Sequence, residues 1–339
     1  MPLSPHSRPR LLLLLPAACA ATITWKLGAP SLPALPAALA SDASFAFPGS
    51  AFASLGDGDG KSQLVLYTAG GATYRVVGAP PFPAGAPSPV TPVLSAGPSG
   101  AIDASGNWLV AAFRTGASSL LGFTRAESAE FNCSAAPPGV SWRTGAIVTS
   151  DDDGASWSRG GAAILDDMPC SPHAGGSAFA SVLPNGSGFL AWGGCTAYRS
   201  LDSGAAVGSW YRWFDGHFGA GFSEPGIEGM SSCLQGLPYG AMNPSVSFNE
   251  YLNSYVMVLS MQGDAQTLWI AMSADGVQAW SAPAVLLRVA PPETLAWGSL
   301  MGKSSSSVSE RVATLVYAAT PPTGKRSVDW VARSVTFSQ

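Results

Sequence analysis

The chain has 339 residues, of which 47% are hydrophobic and 11% are charged, and its formal net charge is −4. The negative charge and the lack of a basic stripe exclude a nucleic-acid-binding surface. With 39 Gly, 28 Pro and little helical periodicity, the composition indicates an all-β protein.

The amino end has the features of a secretory signal peptide. Arg8 and Arg10 precede the apolar run 11–15, and Ala18-Cys-Ala20 has the small-residue pattern of a cleavage site. We expect a signal peptide at 1–20, a secreted protein and a single domain at 41–339. A second small-residue pattern, at 38–40, leaves open a cut as late as residue 40. No later apolar run reaches about 18 residues, so no membrane association is expected after signal removal.

Three turns along the chain repeat one pattern of Ser, Asp, Gly and Trp. They run from Ser150 to Trp157, from Ser200 to Trp210 and from Ser273 to Trp280. In each, Asp and Gly favour a tight turn after a strand, and the Trp packs back beneath it. The pattern resembles the Asp-box hairpin of sialidase-like and glycosidase β-propellers, and we interpret these turns as structural.

Paired short strands recur around these turns and divide the chain into five units. Their first strands are predicted at Gly49–Leu55, Gly97–Ile102, Ser177–Leu183, Asn243–Phe248 and Gly298–Ser304. The predicted fold is therefore a five-bladed β-propeller of four-stranded antiparallel blades. The fifth unit ends at Trp330–Ser334 and a last strand, so we expect the amino end of the mature chain to supply its outermost strand.

Removal of the signal leaves four cysteines, an even number that favours two disulfides in a secreted chain. In a propeller, blade-to-blade loops and second-to-third-strand loops share one face, and Cys133, Cys170, Cys195 and Cys233 all fall in such loops. The long insertions 125–140, 166–176 and 215–242 belong to the same face, which is therefore the predicted binding face. Asn132 and Asn185 begin glycosylation sequons if the host is eukaryotic, which would make the protein a glycoprotein.

Residues 97–287 are similar to secreted five-bladed proteins of the arabinanase, xylosidase and fructosidase type. The resemblance is in Trp210–Phe218, Phe222–Gly229, Asn243–Phe248 and Ser273–Trp280. It implies a glycoside hydrolase with a carboxylate base and a carboxyl acid at the inner ends of the blades. The predicted inner strands begin without an acid, so this set cannot be carried over directly.

The catalytic candidates are therefore loop carboxyls of the binding face. Glu224 is the preferred general acid, with Asp167 or Asp215 as its partner, because two carboxyl groups must flank a glycosidic bond during hydrolysis. A solvated or backbone-capping role is the alternative for each. Six further residues are the candidates for sugar contact: His173, His217, Arg114, Tyr239, Asn243 and Trp297.

No cofactor and no metal site are expected, because neither His173 nor His217 has an acid or Cys at ligand spacing. The segment Gly56-Asp-Gly-Asp-Gly60 resembles part of a calcium loop but lacks the terminal Glu, so a turn is favoured and a structural calcium ion stays the alternative.

Two functions remain for a monomeric protein with a carbohydrate partner. One is hydrolysis of an oligo- or polysaccharide, and the other is binding of a glycan or protein without catalysis. A carboxyl pair about 5–10 Å apart near the centre of the ring would favour hydrolysis, and a flat aromatic face without such a pair would favour binding.

Among the three possible connectivities, we predict the disulfides Cys133–Cys170 and Cys195–Cys233. Each joins loops of one face and closes about 37–38 residues, which stabilises by about 3–4 kcal/mol in the chain-entropy model. Peptide mapping without reduction tests the pairing, and a peptide linking Cys133 to Cys233 would contradict it.

Overall fold

The computed structural model describes residues 23–31, 52–56, 63–69, 72–78, 92–128, 142–165, 178–206, 208–219, 231–303, 305–320 and 329–339. Within these ranges the chain is all-β and contains no helix, which confirms the predicted class. The described residues accordingly include no helix that is long and apolar enough to span a membrane.

The strands form five separate sheets. The amino-terminal strand is β1 (Thr24–Leu27). The first sheet consists of β2 (Phe52–Gly56), β3 (Gln63–Ala69), β4 (Ala72–Gly78) and β5 (Pro92–Leu94). The second consists of β6 (Gly106–Arg114), β7 (Leu120–Ser128), β8 (Trp142–Ser150) and β9 (Ser158–Leu165).

The third sheet consists of β10 (Ser181–Asn185), β11 (Gly188–Gly193), β12 (Thr196–Ser200), β13 (Trp210–Phe214) and β14 (His217–Phe218). The fourth contains β15 (Ala241–Asn249), β16 (Ser254–Met261), β17 (Asp264–Ser273), β18 (Ala284–Arg288) and β20 (Val308–Ser309). The fifth contains β19 (Thr294–Met301), β21 (Val312–Thr320), β22 (Asp329–Ser338) and β1.

Two details of the strand prediction are wrong in the second to fourth sheets. Gly97–Ile102 is not a strand: the Asp103 carbonyl accepts hydrogen bonds from the amides of Gly97 and Gly106, which closes the segment into a turn, and β6 follows it. The sheets are also not uniformly four-stranded, because β14 and β20 add a fifth strand to the third and fourth sheets, and β20 pairs with β15 in parallel.

The amino end pairs where the sequence predicted. Thr24–Leu27 lie antiparallel to Val335–Ser338, so β1 is the outermost strand of the fifth sheet. The carboxyl-terminal residues form one continuous strand, β22, rather than the predicted pair of short strands.

Consecutive sheets are joined by apolar clusters that each combine residues of two neighbours. Leu66 meets Leu109 between the first and second sheets, and Phe123 meets Phe179 at the second and third. Leu190 and Val246 share the next cluster, and Val258 and Leu315 share the last. The first strands β6, β10, β15 and β19 contact one another in this order, so they form the inner side of the assembly.

The three repeated turns have one hydrogen-bonding scheme. In the first, the Ser150 hydroxyl accepts from the Gly154 amide, and the Asp152 carboxylate accepts from the amide and hydroxyl of Ser156. Asp202 and Asp275 accept backbone amides in the same way. The tryptophans that follow, Trp157, Trp210 and Trp280, are all buried. Each turn is therefore closed by its own Asp and attached to the core by its Trp.

Replacement of Trp157 by Ala should lower the free energy of unfolding by about 3–5 kcal/mol, because the indole fills the cluster between the first and second sheets. Thermal unfolding measures the effect, and ligand affinity per folded molecule should not change. Tyr239→Ala is the control for stability, since this side chain is 89% exposed. An unchanged Tm in Trp157→Ala together with lost glycan binding would contradict the structural role.

Acid should loosen the first turn. Hydrogen bonds from the Ser156 hydroxyl and amide, followed by that from Ser150, lower the pKa of Asp152 to about 2. Because the folded pKa is depressed, this contribution to stability is complete above about pH 4, the unfolded value, and is lost as the pH falls towards 2. We expect Asp152→Asn to unfold more easily at neutral pH and to lose less stability between these two pH values. Equal pH slopes for the two proteins would contradict this role.

Candidate active site

The four contacting inner strands surround a small central cavity of about 20 Å³. Its described lining includes Asn243, Ser245, Trp297 and Ser299, and otherwise consists of small, apolar and hydroxyl-bearing residues without a carboxyl group. Ligand sites commonly measure about 300–1,000 Å³. The cavity therefore has room for about one water molecule, and a sugar would have to bind outside it, where the inner strands begin.

The beginnings of β15 and β19 share an unusual backbone. Both strands are irregular there, and Asn243 and Trp297 have positive φ angles of 47° and 50°. The hydroxyls of Ser245 and Ser299 meet at 2.8 Å across the two strands. Positive φ is uncommon for a residue as bulky as Trp, and such conformations together with β-bulges concentrate next to functional sites.

A charged group lies beside Asn243 at the end of β7 and the beginning of β8. We call Arg125, Glu127 and Arg143 the arginine cluster. The Nε atoms of Arg125 and Arg143 each lie 3.0 Å from Glu127 Oε1, and Arg125 Nη2 also donates to that oxygen. Arg125 Nη1 lies 3.5 Å from Asn243 Oδ1, so the second sheet reaches the inner strand of the fourth.

Strand register explains why the cluster forms. Glu127 is directly opposite Arg143 in the β7–β8 pair, and Arg125 is opposite Trp108 in the β6–β7 pair. The Arg125 guanidinium lies 5.8 Å from the centre of the Trp108 ring. Residues two apart share a face of a strand, so Phe123 continues the same face and packs against the third sheet. The cluster thus rests on a layer of aromatic rings.

Burial and charge act against each other at Arg125. Desolvation lowers the pKa of Arg125, the Glu127 carboxylate raises it, and the like charge of Arg143 lowers it again. A carboxylate that accepts hydrogen bonds from two guanidinium groups is held in its ionised form. Glu127 therefore positions both arginines through one carboxylate oxygen.

Asn243, Trp297 and Tyr239 of the predicted contact residues lie in or near this region. The first two line the cavity, and Tyr239 is at the tip of the turn closed by the Ala241 amide and the Pro238 carbonyl, immediately before β15. Its ring is 89% exposed. These three residues and the arginine cluster surround the beginnings of the inner strands.

The structure places the other described candidates elsewhere. Arg114 is at the opposite end of β6, where its Nη1 forms an ion pair with Asp153 at 2.7 Å. Asp215 and His217 are exposed in the tight β13–β14 hairpin at the outer edge of the third sheet. Asp215 also lines an open cavity of about 510 Å³ next to Cys233.

The disulfide Cys195–Cys233 is present, as predicted, and attaches the segment before β15 to the turn between β11 and β12. The other residues predicted from the sequence lie outside the described residues: Glu224, Asp167, His173, Cys133, Cys170 and the segment 57–60. In the part of the chain that the structure describes, no group of three His, Cys, Asp or Glu residues could hold a metal ion.

The arginine cluster was missed by sequence reasoning, which searched for acids only in inner strands and loops. Its signal was the alternation Arg125-Ala-Glu127 at the end of an otherwise buried strand. The partner Arg143 is 16 residues from Glu127, so the pairing follows from the strand register and not from local sequence.

No family model and no curated protein sequence matches the chain, whereas solved structures do. A candidate exo-β-1,3-galactanase from Bifidobacterium bifidum matches with a TM-score of 0.53 and 10% identity, covering 93% of this chain and 94% of its own. An exo-β-1,3-galactanase from Phanerochaete chrysosporium, crystallised with β-1,3-galactotriose, matches with a TM-score of 0.52 and 11% identity. That match covers 91% of this chain and 63% of the fungal chain. The chain therefore resembles β-propeller glycoside hydrolases in fold.

Proposed function

We propose that the protein is a secreted, carbohydrate-active five-bladed β-propeller that binds an oligo- or polysaccharide. Five sheets in chain order, joined by a cluster between each consecutive pair, support this architecture. Pairing of β1 with β22 supports closure of the ring through the amino end. The signal-like amino end and the Cys195–Cys233 disulfide support secretion.

The contact between Arg125 and Asn243 beside the central cavity is the observation on which the binding site depends. It brings side chains of the second and fourth sheets together where the first strands begin. Guanidinium and amide groups supply donors and acceptors for sugar hydroxyls, and the rings of Trp297 and Tyr239 supply apolar faces. Such a combination of a few convergent polar groups with aromatic surface is typical of a carbohydrate site.

Asn243→Gly tests this site, and Asn253→Gly is a matched control. Both residues are Asn with positive φ, 47° and 48°, so Gly relieves rather than creates strain at either position. Only Asn243 contacts Arg125, whereas Asn253 lies in the turn between β15 and β16.

Glycan binding is measured by screening the purified mature protein and then by calorimetry. We expect affinity to fall about tenfold or more in Asn243→Gly, because the variant loses the amide side chain and its contact with Arg125, and to stay unchanged in Asn253→Gly. Equal affinities for the two variants would show that the glycan does not bind in the Asn243 region. A wild-type protein that binds no glycan would contradict the proposed function.

Hydrolysis of a glycosidic bond is the second candidate, favoured by one carboxylate near the cavity. Glu127 is linked to Asn243 through Arg125, and hydrolysis would need a second carboxyl group to protonate the leaving oxygen. Glu224 is the candidate acid from sequence. Asp215 is less suited to this role because it lies in the outer hairpin of the third sheet.

Release of reducing ends from bound glycans distinguishes cleavage from binding. If Glu224 is the acid, Glu224→Gln should lower turnover by about 100-fold or more at unchanged Tm, since the amide cannot deliver a proton. Activity per folded molecule near wild type would exclude Glu224. If wild type binds a glycan and cleaves none, the protein is a binding propeller.

A further inference from the structure

The arginine cluster has a surplus positive charge. Within the cluster, Arg125 and Arg143 contribute two cations and Glu127 one anion, and the contacting side chains of Trp108 and Asn243 are uncharged. One carboxylate oxygen accepts from both guanidinium groups. The two arginines therefore share a single counter-charge.

Arg143 has hydrogen-bond donors that Glu127 does not use. Only its Nε is used, and in the described part of the chain its terminal Nη1 and Nη2 form no hydrogen bond. The Arg143 side chain is 34% exposed, about twice the exposure of Arg125 at 16%. A guanidinium end of this kind presents two parallel N–H groups, the arrangement that binds a carboxylate or sulfate in a bidentate manner.

The positions of these donors are fixed by the sheet. Arg143 is held by Glu127 directly opposite on β7, and Arg125 is fixed by two hydrogen bonds to Glu127 and by the Trp108 ring. Prior ordering of the donors lowers the entropy that a ligand must offset on binding. A hydroxyl group would leave the surplus charge uncompensated, whereas an anion would neutralise it in a partly desolvated place, where electrostatic interactions are stronger than in water.

Taking the proposed glycan site as its basis, we infer that the glycan is acidic, with a carboxylate or sulfate group bound by Arg143 at the edge of the Asn243 region. Arg143 and Arg125 would then bind the charged substituent. The neutral part of the sugar would contact Asn243, Trp297 and Tyr239. Uronic acid residues and sulfate esters present the same chemistry to a guanidinium group, and the test separates them.

Matched glycans test the inference on the wild-type protein. The first pair is an oligogalacturonate and its methyl ester, and the second is a sulfated oligogalactan and its desulfated form, so that the members of a pair differ only at the acidic substituent. We expect the acidic member of at least one pair to bind about tenfold or more tightly. Its affinity should also fall as NaCl rises from about 0.05 M to about 0.5 M, because salt screens charge interactions.

Arg143→Gln and the control Arg288→Gln test the residue. Arg288, at the end of β18 in the fourth sheet, donates its Nε–H to the Thr267 hydroxyl on β17, so its replacement removes an equal charge from another place. Arg143→Gln should abolish the preference for the acidic member, while Arg288→Gln should keep it. The salt and esterification comparisons need no variant and therefore apply even if Arg143→Gln fails to fold.

The outcomes separate the two proposals. Equal binding of both members of each pair, or an unchanged preference in Arg143→Gln, would overturn the acidic-glycan inference while glycan binding itself stands. A wild-type protein that binds neither neutral nor acidic glycans would overturn the proposed function as well. Preference in the carboxylate pair alone identifies a uronate, and preference in the sulfate pair alone identifies a sulfated sugar.

Discussion

The second sheet has apolar side chains on both of its faces, and the need to bury both faces determines how the sheets pack. The second sheet buries Leu109 and Val148 towards the first sheet and Phe123 and Ile147 towards the third. No single sheet of this kind is stable alone, because one covered face leaves the other in water. Packing each sheet between two neighbours satisfies the constraint. Small residues permit the close approach: a Cβ on Gly145 would lie 2.9 Å from the Phe179 ring.

The candidate site depends on this packing. Its charged side chains lie at the ends of strands, and the central residues of those strands are buried in the core. Phe123 lies two residues before Arg125 on the same face and contacts Phe179 and Trp210, which fixes β7 against the third sheet. The arginine cluster is consequently held by strands and not by loops. A substitution in the aromatic layer would move the guanidinium groups without touching them.

Local chemistry was predictable from the sequence. The turns at Asp152, Asp202 and Asp275 depend on side chains that bond amides within a few residues, so pattern alone was enough. The all-β class and the pairing of the amino end with the last sheet were also predictable. Gly97–Ile102 was misassigned because its small and apolar residues suit a strand as well as a turn. Only the hydrogen bonds to the Asp103 carbonyl distinguish the two.

Features that depend on how residues far apart in the sequence are aligned in the sheets were not predictable. Strands β14 and β20 have two residues each, too few to give an alternating pattern. Glu127 and Arg143 become partners only through the alignment of β7 with β8. Asn243 was singled out for its position, but the guanidinium 118 residues away that contacts it could not be inferred from one sequence.

The amino-terminal strand β1 covers a sheet edge that the predicted signal cleavage would keep covered or expose, depending on where the cut falls. β1 covers the edge of β22 and pairs residues far apart in the chain, such as Thr24 with Ser338. Cleavage after Ala20 keeps β1, whereas cleavage after Ala40 removes it. The second cut would expose β22 as an open edge whose unpaired backbone groups could accept a strand from another chain. If the predicted signal is removed, the position of the cut would therefore determine whether the edge of β22 stays covered by β1.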